Sequence, residues 1–210
     1  MKFKMKALVA VSAVCVSSLA SAQWYVGATA GSSHTSLNWS SLATTPAPIT
    51  SVISKTESDT GYKAQVGYQF NKNFAVEGGY VNLGQFSATN NVTYPGGPGS
   101  VGFKVKSDGW NLLAVGMLPL NNNFTLLGKV GAFMSTTTAT VAASGTVTLT
   151  GPTSSSNSDT NLTYGVGVDY SFNKAWSVRG EAESFVDLRP SSTGSKGSVN
   201  LYSLGVIYKF

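Results

Sequence analysis

Two stretches of this chain alternate large apolar residues with small or polar ones at a strict period of two. In residues 59–70, Tyr62, Ala64, Val66, Tyr68 and Phe70 share one face, opposite Lys63, Gln65, Gly67 and Gln69. In residues 162–172, Leu162, Tyr164, Val166, Val168, Tyr170 and Phe172 oppose Thr163, Gly165, Gly167, Asp169 and Ser171. Successive side chains of a strand point to opposite faces, so the pattern marks half-buried strands and excludes amphipathic helices here. Composition narrows the class further. With 11% charged and 11% aromatic residues among 210, the chain lacks the charge excess of a disordered sequence, and it has neither a Gly-X-Y nor a heptad repeat. One His and one Cys cannot build a multi-ligand His/Cys zinc site. No P-loop, dinucleotide fingerprint, EF-hand loop or HExxH sequence occurs, and no cofactor is expected.

Residues 1–22 read as a secretory signal peptide. Lys2, Lys4 and Lys6 form a basic start, an apolar run follows, and Ala20-Ser21-Ala22 supplies the small-x-small cleavage pattern. A retained anchor is the alternative, but the 14 residues from Ala7 to Ala20 fall short of the ~20 that a spanning helix needs. A lipoprotein site at Cys15 would want a small residue where Val14 stands. The expected organisation is therefore a leader, 1–22, and one mature domain, 23–210, which contains no cysteine and is exported without disulfides. Removing three lysines leaves 11 basic residues against 9 acidic ones, a net charge of +2, so a nucleic-acid partner is not expected.

Three Asn-rich segments between large apolar residues organise the remainder: Phe70-Asn71-Lys72-Asn73-Phe74, Leu120-Asn121-Asn122-Asn123-Phe124 and Phe172-Asn173-Lys174-Ala175-Trp176. Asn tolerates the left-handed backbone of tight turns, and the roughly 50-residue spacing leaves room for two strands and a loop between them. Residues 34–58, 84–106, 136–159 and 187–197, rich in Ser, Thr, Gly, Asn and Pro, read as the intervening loops. Long and short connections thus alternate, seven in all, which makes eight strands.

A soluble sandwich or a lipocalin-like barrel would also alternate. Here, however, aromatics crowd the strand ends beside the short turns: Trp24, Tyr68, Phe70, Phe74, Phe124, Tyr170, Phe172, Trp176, Tyr208 and Phe210. Such a ring is an interfacial girdle at lipid headgroup level, and the strand lengths match the ~9–11 residues that cross a bilayer when tilted. The expected fold is all-β: an eight-stranded antiparallel up-and-down transmembrane β-barrel, closed because lipid cannot satisfy an open sheet edge.

Trp24-Tyr25-Val26-Gly27-Ala28, Gly67-Tyr68-Gln69-Phe70, Val76-Glu77-Gly78-Gly79-Tyr80, Gly165-Val166-Gly167-Val168-Asp169-Tyr170 and the closing Ser203-Leu204-Gly205-Val206-Ile207-Tyr208-Lys209-Phe210 together resemble the membrane barrel of the OmpA family. The resemblance implies a Gram-negative-type outer membrane with its lipid and lipopolysaccharide, short turns and termini in the periplasm, and long loops outside the cell. It also implies that Phe210, after alternating apolar residues, is read by the barrel-assembly machinery. The chain stops at Phe210, so the wall-anchoring domain of full-length family members is not expected.

Extending the alternation places Lys63, Glu77, Lys129, Asp169, Arg179, Glu181 and Glu183 on the inward face. A charge facing lipid at mid-membrane costs roughly 2–4 kcal/mol, and a barrel of eight strands has little more room than its own side chains fill. The charges should therefore pair. The resemblance implies the same, since Glu77, Lys129, Asp169, Arg179 and Glu181 match positions whose ion pairs plug the family barrel, although Thr29 and Ala114 stand where the family has lysines. Such a set is either a static plug or a gate in which Arg179 exchanges acidic partners.

The expected role is a non-enzymatic one, in envelope integrity and in adhesion to a host or surface ligand through the loops. Thr138-Ala139-Thr140-Val141 and Thr146-Val147-Thr148-Leu149 would prolong one hairpin around residues 142–145 into an exposed rim. A small gated pore is the alternative. A lipid A-modifying enzyme built on His34-Thr35-Ser36 with Glu57 nearby ranks third.

Overall fold

The computed structural model describes residues 23–36, 50–94, 97–145, 153–188 and 197–210; the expected leader and Thr146–Leu149 lie outside them. The strands are β1 (Gln23–Thr35), β2 (Thr50–Thr56), β3 (Ser58–Asn71), β4 (Phe74–Tyr94), β5 (Gly97–Pro119), β6 (Phe124–Gly145), β7 (Ser154–Ser171), β8 (Trp176–Leu188) and β9 (Gly197–Lys209). All pairings are antiparallel, in the ring order β3, β1, β9, β8, β7, β6, β5, β4 and back to β3. Eight strands close the barrel, and β2 prolongs β3 beyond it by pairing with β4 alone.

The three Asn-rich segments are the short turns, and each works the same way. The first Asn side chain accepts backbone N–H groups across the turn: Asn71 from Asn73 and Phe74, Asn121 from Asn123 and Phe124, Asn173 from Ala175 and Trp176, all at 2.8–3.0 Å. These Asx bonds replace the ladder bonds lost where the chain reverses.

Most of the segments read as polar loops are strand. Residues 85–94 and 97–106 form the paired ends of β4 and β5, in register from Gln85↔Lys106 to Tyr94↔Gly97, and β6 continues through Ala142 to Gly145, with Ser144 opposite Ser100 and Gly145 opposite Gly99. The rim is thus wider than a hairpin, with β2, β4, β5 and β6 side by side above the barrel, and Thr138 faces Ser156 of β7. The reason is that Thr and Val are strand formers even in Ser- and Gly-rich sequence once neighbours satisfy their backbone groups. The single break in β4 is a bulge between Asn82 and Gln85. Gly84 adopts φ +81° there, and Asp59 secures it by accepting the Gln85 N–H at 2.6 Å.

The outer face carries two aromatic belts. On the short-turn side, three matching triads form from Trp24, Tyr68 and Phe70, from Phe124, Tyr170 and Phe172, and from Trp176, Tyr208 and Phe210, with ring centroids 4.8–5.2 Å apart. Phe74 is also exposed there. The second belt, Tyr62, Trp110, Tyr164 and Tyr202, lies nearer the long connections and is equally exposed. Between the belts the outer face is Val, Leu, Ala and Gly, as a hydrocarbon-facing band requires.

Candidate functional site

The inward face of the barrel holds the seven charges singled out above, all of them buried. Closure of the barrel brings them together across the lumen. Asp169 and Arg179 are direct cross-strand partners, and one edge of the guanidinium grips both carboxylate oxygens, Nε to Oδ1 at 2.5 Å and Nη2 to Oδ2 at 2.8 Å. Nη1 of the same arginine donates to Glu77 Oε1. Lys129 bridges Glu77, at 2.5 Å, and Glu181. Lys63 bridges Glu181 at 2.5 Å and Glu183 at 2.6 Å. One continuous chain therefore runs Asp169, Arg179, Glu77, Lys129, Glu181, Lys63, Glu183, drawing on β3, β4, β6, β7 and β8.

Two further features complete the network. Tyr25 of β1 donates its hydroxyl to Glu77 Oε1 at 2.8 Å, and the Arg179 guanidinium stands 5.5 Å from the centre of its ring. The ring fits because Gly67, on the neighbouring strand, has no side chain: a Cβ there would lie 2.1 Å from Tyr25 Cζ. Thr29, one of the two departures from the family pattern, is buried inside, but Ala114 is exposed outside while Leu113 and Val115 point inward. Ala114 therefore does not replace a lumen lysine; the alternation of β5 puts it on lipid.

Apolar layers cap the ionic layer at both ends. Toward the long connections lies a cluster that includes Leu83, Phe86, Phe133, Phe185 and Leu201, with Phe133 and Phe185 edge to face at 4.9 Å. Toward the short turns Tyr25, Leu113, Val115, Met117, Leu127 and Ile207 pack together. Sequence reading missed both layers. The signal was present in doublets such as Leu112-Leu113, Leu126-Leu127 and Val206-Ile207, which are apolar on both faces and so leave no alternation to read. Charges held between such layers meet little water, so each cation depends on its carboxylates.

The catalytic arrangement suggested for His34 and Ser36 is not formed. Ser36, just past the end of β1, donates its hydroxyl to the Ser198 carbonyl at 3.1 Å. His34 meets two other serines instead, Ser58 Oγ at 2.7 Å from Nδ1 and Ser32 Oγ at 3.2 Å from Nε2. Glu57 pairs with Lys55 at 3.8 Å. No carboxylate in hydrogen-bond contact orients the imidazole among the described residues.

A closed, lipid-belted ring of eight strands with its charges turned inward defines an integral outer-membrane barrel. Residues 7–210 match the family of the outer membrane protein beta-barrel domain, and the chain belongs to that family. No curated protein matches the sequence. Among solved structures it is similar to neisserial surface protein A, with 14% identity, a TM-score of 0.55 and coverage of 89% of this chain and 97% of that one. It is also similar to Ail, the attachment invasion locus protein of Yersinia pestis, solved in complex with the heparin analogue sucrose octasulfate. There the identity is 17% and the TM-score 0.51, covering 90% of this chain and 99% of that one. At these identities the likeness is one of fold.

Proposed function

We propose that this protein is a non-enzymatic outer-membrane scaffold, exported by a cleaved leader, whose lumen is plugged and whose work is done at the cell surface in envelope integrity and adhesion. The observation that carries the reading is the seven-residue charge chain sealed between two apolar layers, which leaves the lumen filled by the protein's own side chains. Surface interaction is supported by the sheet of β2, β4, β5 and β6 that rises beyond the barrel. The outer edge of β2 has no paired strand among the described residues, and its N–H and C=O groups would receive an extended segment of a host or surface ligand. Attachment is what the name of Ail records for that protein. Lipid and lipopolysaccharide around the belts, and the assembly machinery at Phe210, complete the partners of this reading.

The gated-pore reading keeps one observation in its favour. Arg179 Nη1 lies 3.7 Å from Glu181 Oε1, a second acidic partner of the kind a switch requires. Planar-bilayer recording of refolded residues 23–210 separates the two. A folded barrel that stays electrically silent supports the plug, and discrete openings that change with Arg179→Ala overturn it. The surface role is tested in cells that display the chain with residues 89–102 replaced by Asn-Gly, joining Ala88 to its cross-strand partner Phe103. Loss of attachment to epithelial cells supports the reading; unchanged attachment with the barrel still folded overturns it.

A further inference from the structure

The ion chain in the lumen does not balance. Four carboxylates, Asp169, Glu77, Glu181 and Glu183, meet three cations, Arg179, Lys129 and Lys63. The shortfall falls at the Glu183 end. Glu183 Oε2 takes Lys63, whereas its Oε1, also buried, has no hydrogen-bond partner among the described residues. Lys209 does not make up the difference there: it lies opposite Tyr25 on the short-turn side and acts on Asp169, at the far end of the chain.

Three more inward side chains beside it lack partners. Gln65, Thr29 and Ser203 are each more than nine-tenths buried, and neither the amide of Gln65 nor the two hydroxyls is hydrogen-bonded among the described residues. With Glu183 they make one unbroken diagonal, one residue per strand across β3, β1, β9 and β8. Gln65 pairs with Gly27, and Thr29 is the next inward residue of β1. Thr29 pairs with Gly205, and Ser203 is the next inward residue of β9. Ser203 pairs with Glu181, and Glu183 is the next inward residue of β8. Lys63 spans the same strands where it reaches from β3 to Glu181 and Glu183. Side chains pointing into so narrow a barrel converge on its axis, so the four face one region of the lumen. Leu201, the cross-strand partner of Glu183, and Phe185, two residues along β8, belong to the outer apolar layer and close that region toward the long connections.

Buried polar atoms are satisfied by protein, by water or by an ion. Water would serve the hydroxyls and the amide, but it would leave the surplus negative charge uncompensated in a region screened from solvent. The acceptors on the diagonal are all hard oxygens (carboxylate, hydroxyl and amide carbonyl), the donor set of hard cations. A divalent ion would overshoot the balance by one charge, and no group of three His, Cys, Asp or Glu side chains suited to a metal occurs among the described residues. We infer that the lumen binds one small monovalent cation of the sodium type, held by Glu183 Oε1 with oxygens of Ser203, Thr29 and Gln65, as the eighth member of the charge chain. Oε2 of the same carboxylate keeps Lys63, so the carboxylate stands between the two cations. The inference rests on the closed lumen and not on the surface role. Bilayer silence tests the plug and sodium dependence tests the cation, so either can fail alone.

The test is urea unfolding of residues 23–210, refolded into lipid vesicles in sodium chloride or, at equal ionic strength, in the chloride of N-methylglucamine, a cation too large for the lumen. The expected result is a saturable stabilisation by sodium, the folded-to-unfolded ratio rising about tenfold when sodium stands at roughly ten times its dissociation constant. Glu183→Gln removes both the surplus charge and the ligand, and should abolish the sodium dependence. T29V/S203A should need several-fold more sodium for the same effect, and it carries the test if Glu183→Gln does not fold. Glu57→Gln, at an exposed carboxylate, should leave the dependence intact. Three results would overturn the inference: equal stability in the two salts, as water or a proton in the cation's place would give; a sodium dependence that survives in Glu183→Gln; or one that T29V/S203A leaves unchanged.

Discussion

The ring of Tyr25 occupies the space where Gly67 lacks a side chain, and from there its hydroxyl reaches Glu77 at 2.8 Å. A glycine on one strand thus determines where a tyrosine on the next can lie, and the tyrosine in turn fixes one oxygen of the carboxylate that joins Arg179 to Lys129. Gly67→Val is therefore expected to displace the ring and strip Glu77 of a donor. Overpacking and the lost hydrogen bond together should cost about 2–5 kcal/mol. Urea unfolding in lipid vesicles, followed by tryptophan fluorescence, checks this; a cost under 1 kcal/mol would mean that the ring moves freely.

Arg179 is the most connected cation in the lumen, touching Asp169, Glu77 and the Tyr25 face. Arg179→Ala leaves a buried carboxylate without its partner and should lower stability by about 3–5 kcal/mol. Because the network is screened from solvent by protein, the loss should be nearly the same at low and high salt. The same unfolding assay run at two ionic strengths decides it.

Phe133 and Phe185 meet edge to face at 4.9 Å in the apolar layer toward the long connections. Phe133→Ala should cost about 3–5 kcal/mol through the cavity it leaves. Phe133→Leu, which retains most of the volume, should cost well under half as much. A similar cost for both variants would point to the aromatic pair rather than to packing.

Trp176 and Tyr208 are cross-strand partners with rings 4.8 Å apart in the short-turn belt. A double-mutant cycle with Trp176→Ala and Tyr208→Ala should return a coupling of about 0.5–1.5 kcal/mol beyond the two single effects. Additive effects would show that each ring is anchored by the membrane interface alone.

Gly84 holds φ +81° at the β4 bulge, and a Cβ there would lie 2.7 Å from Asp59 Oδ2. Gly84→Ala should therefore destabilise by about 1–3 kcal/mol and loosen the sheet above it. Hydrogen exchange of Gln85, whose amide Asp59 accepts, gives a local readout: its protection should fall well before that of Val66 in the barrel wall.

The barrel was legible because lipid imposes a simple rule. A strand with hydrocarbon outside and protein inside must alternate, and Tyr62 to Phe70 and Leu162 to Phe172 do so residue by residue. The same rule sent Lys63, Glu77, Lys129, Asp169, Arg179, Glu181 and Glu183 inward, and the Asn-rich segments marked the short turns. Where lipid no longer acts, above the outer belt, the rule lapses. Gly84 to Lys106 then reads as loop although Thr89, Val92, Val101 and Val105 sit in paired strands there.

Sequence alone determined the number of membrane strands and, wherever apolar and polar residues alternate cleanly, which side chains face lipid, because period two and a one-sided apolar solvent act on each strand separately. Which charge meets which was decided only by closure. Arg179 and Glu77 are 102 residues apart, and Lys63 and Glu181 are 118 apart. Their contact depends on strand stagger and on the fit of glycines such as Gly67 against rings such as Tyr25, quantities set by the whole ring at once. The apolar layers around those charges exist for the same reason: each is built from residues of several strands that only the closed barrel brings into line.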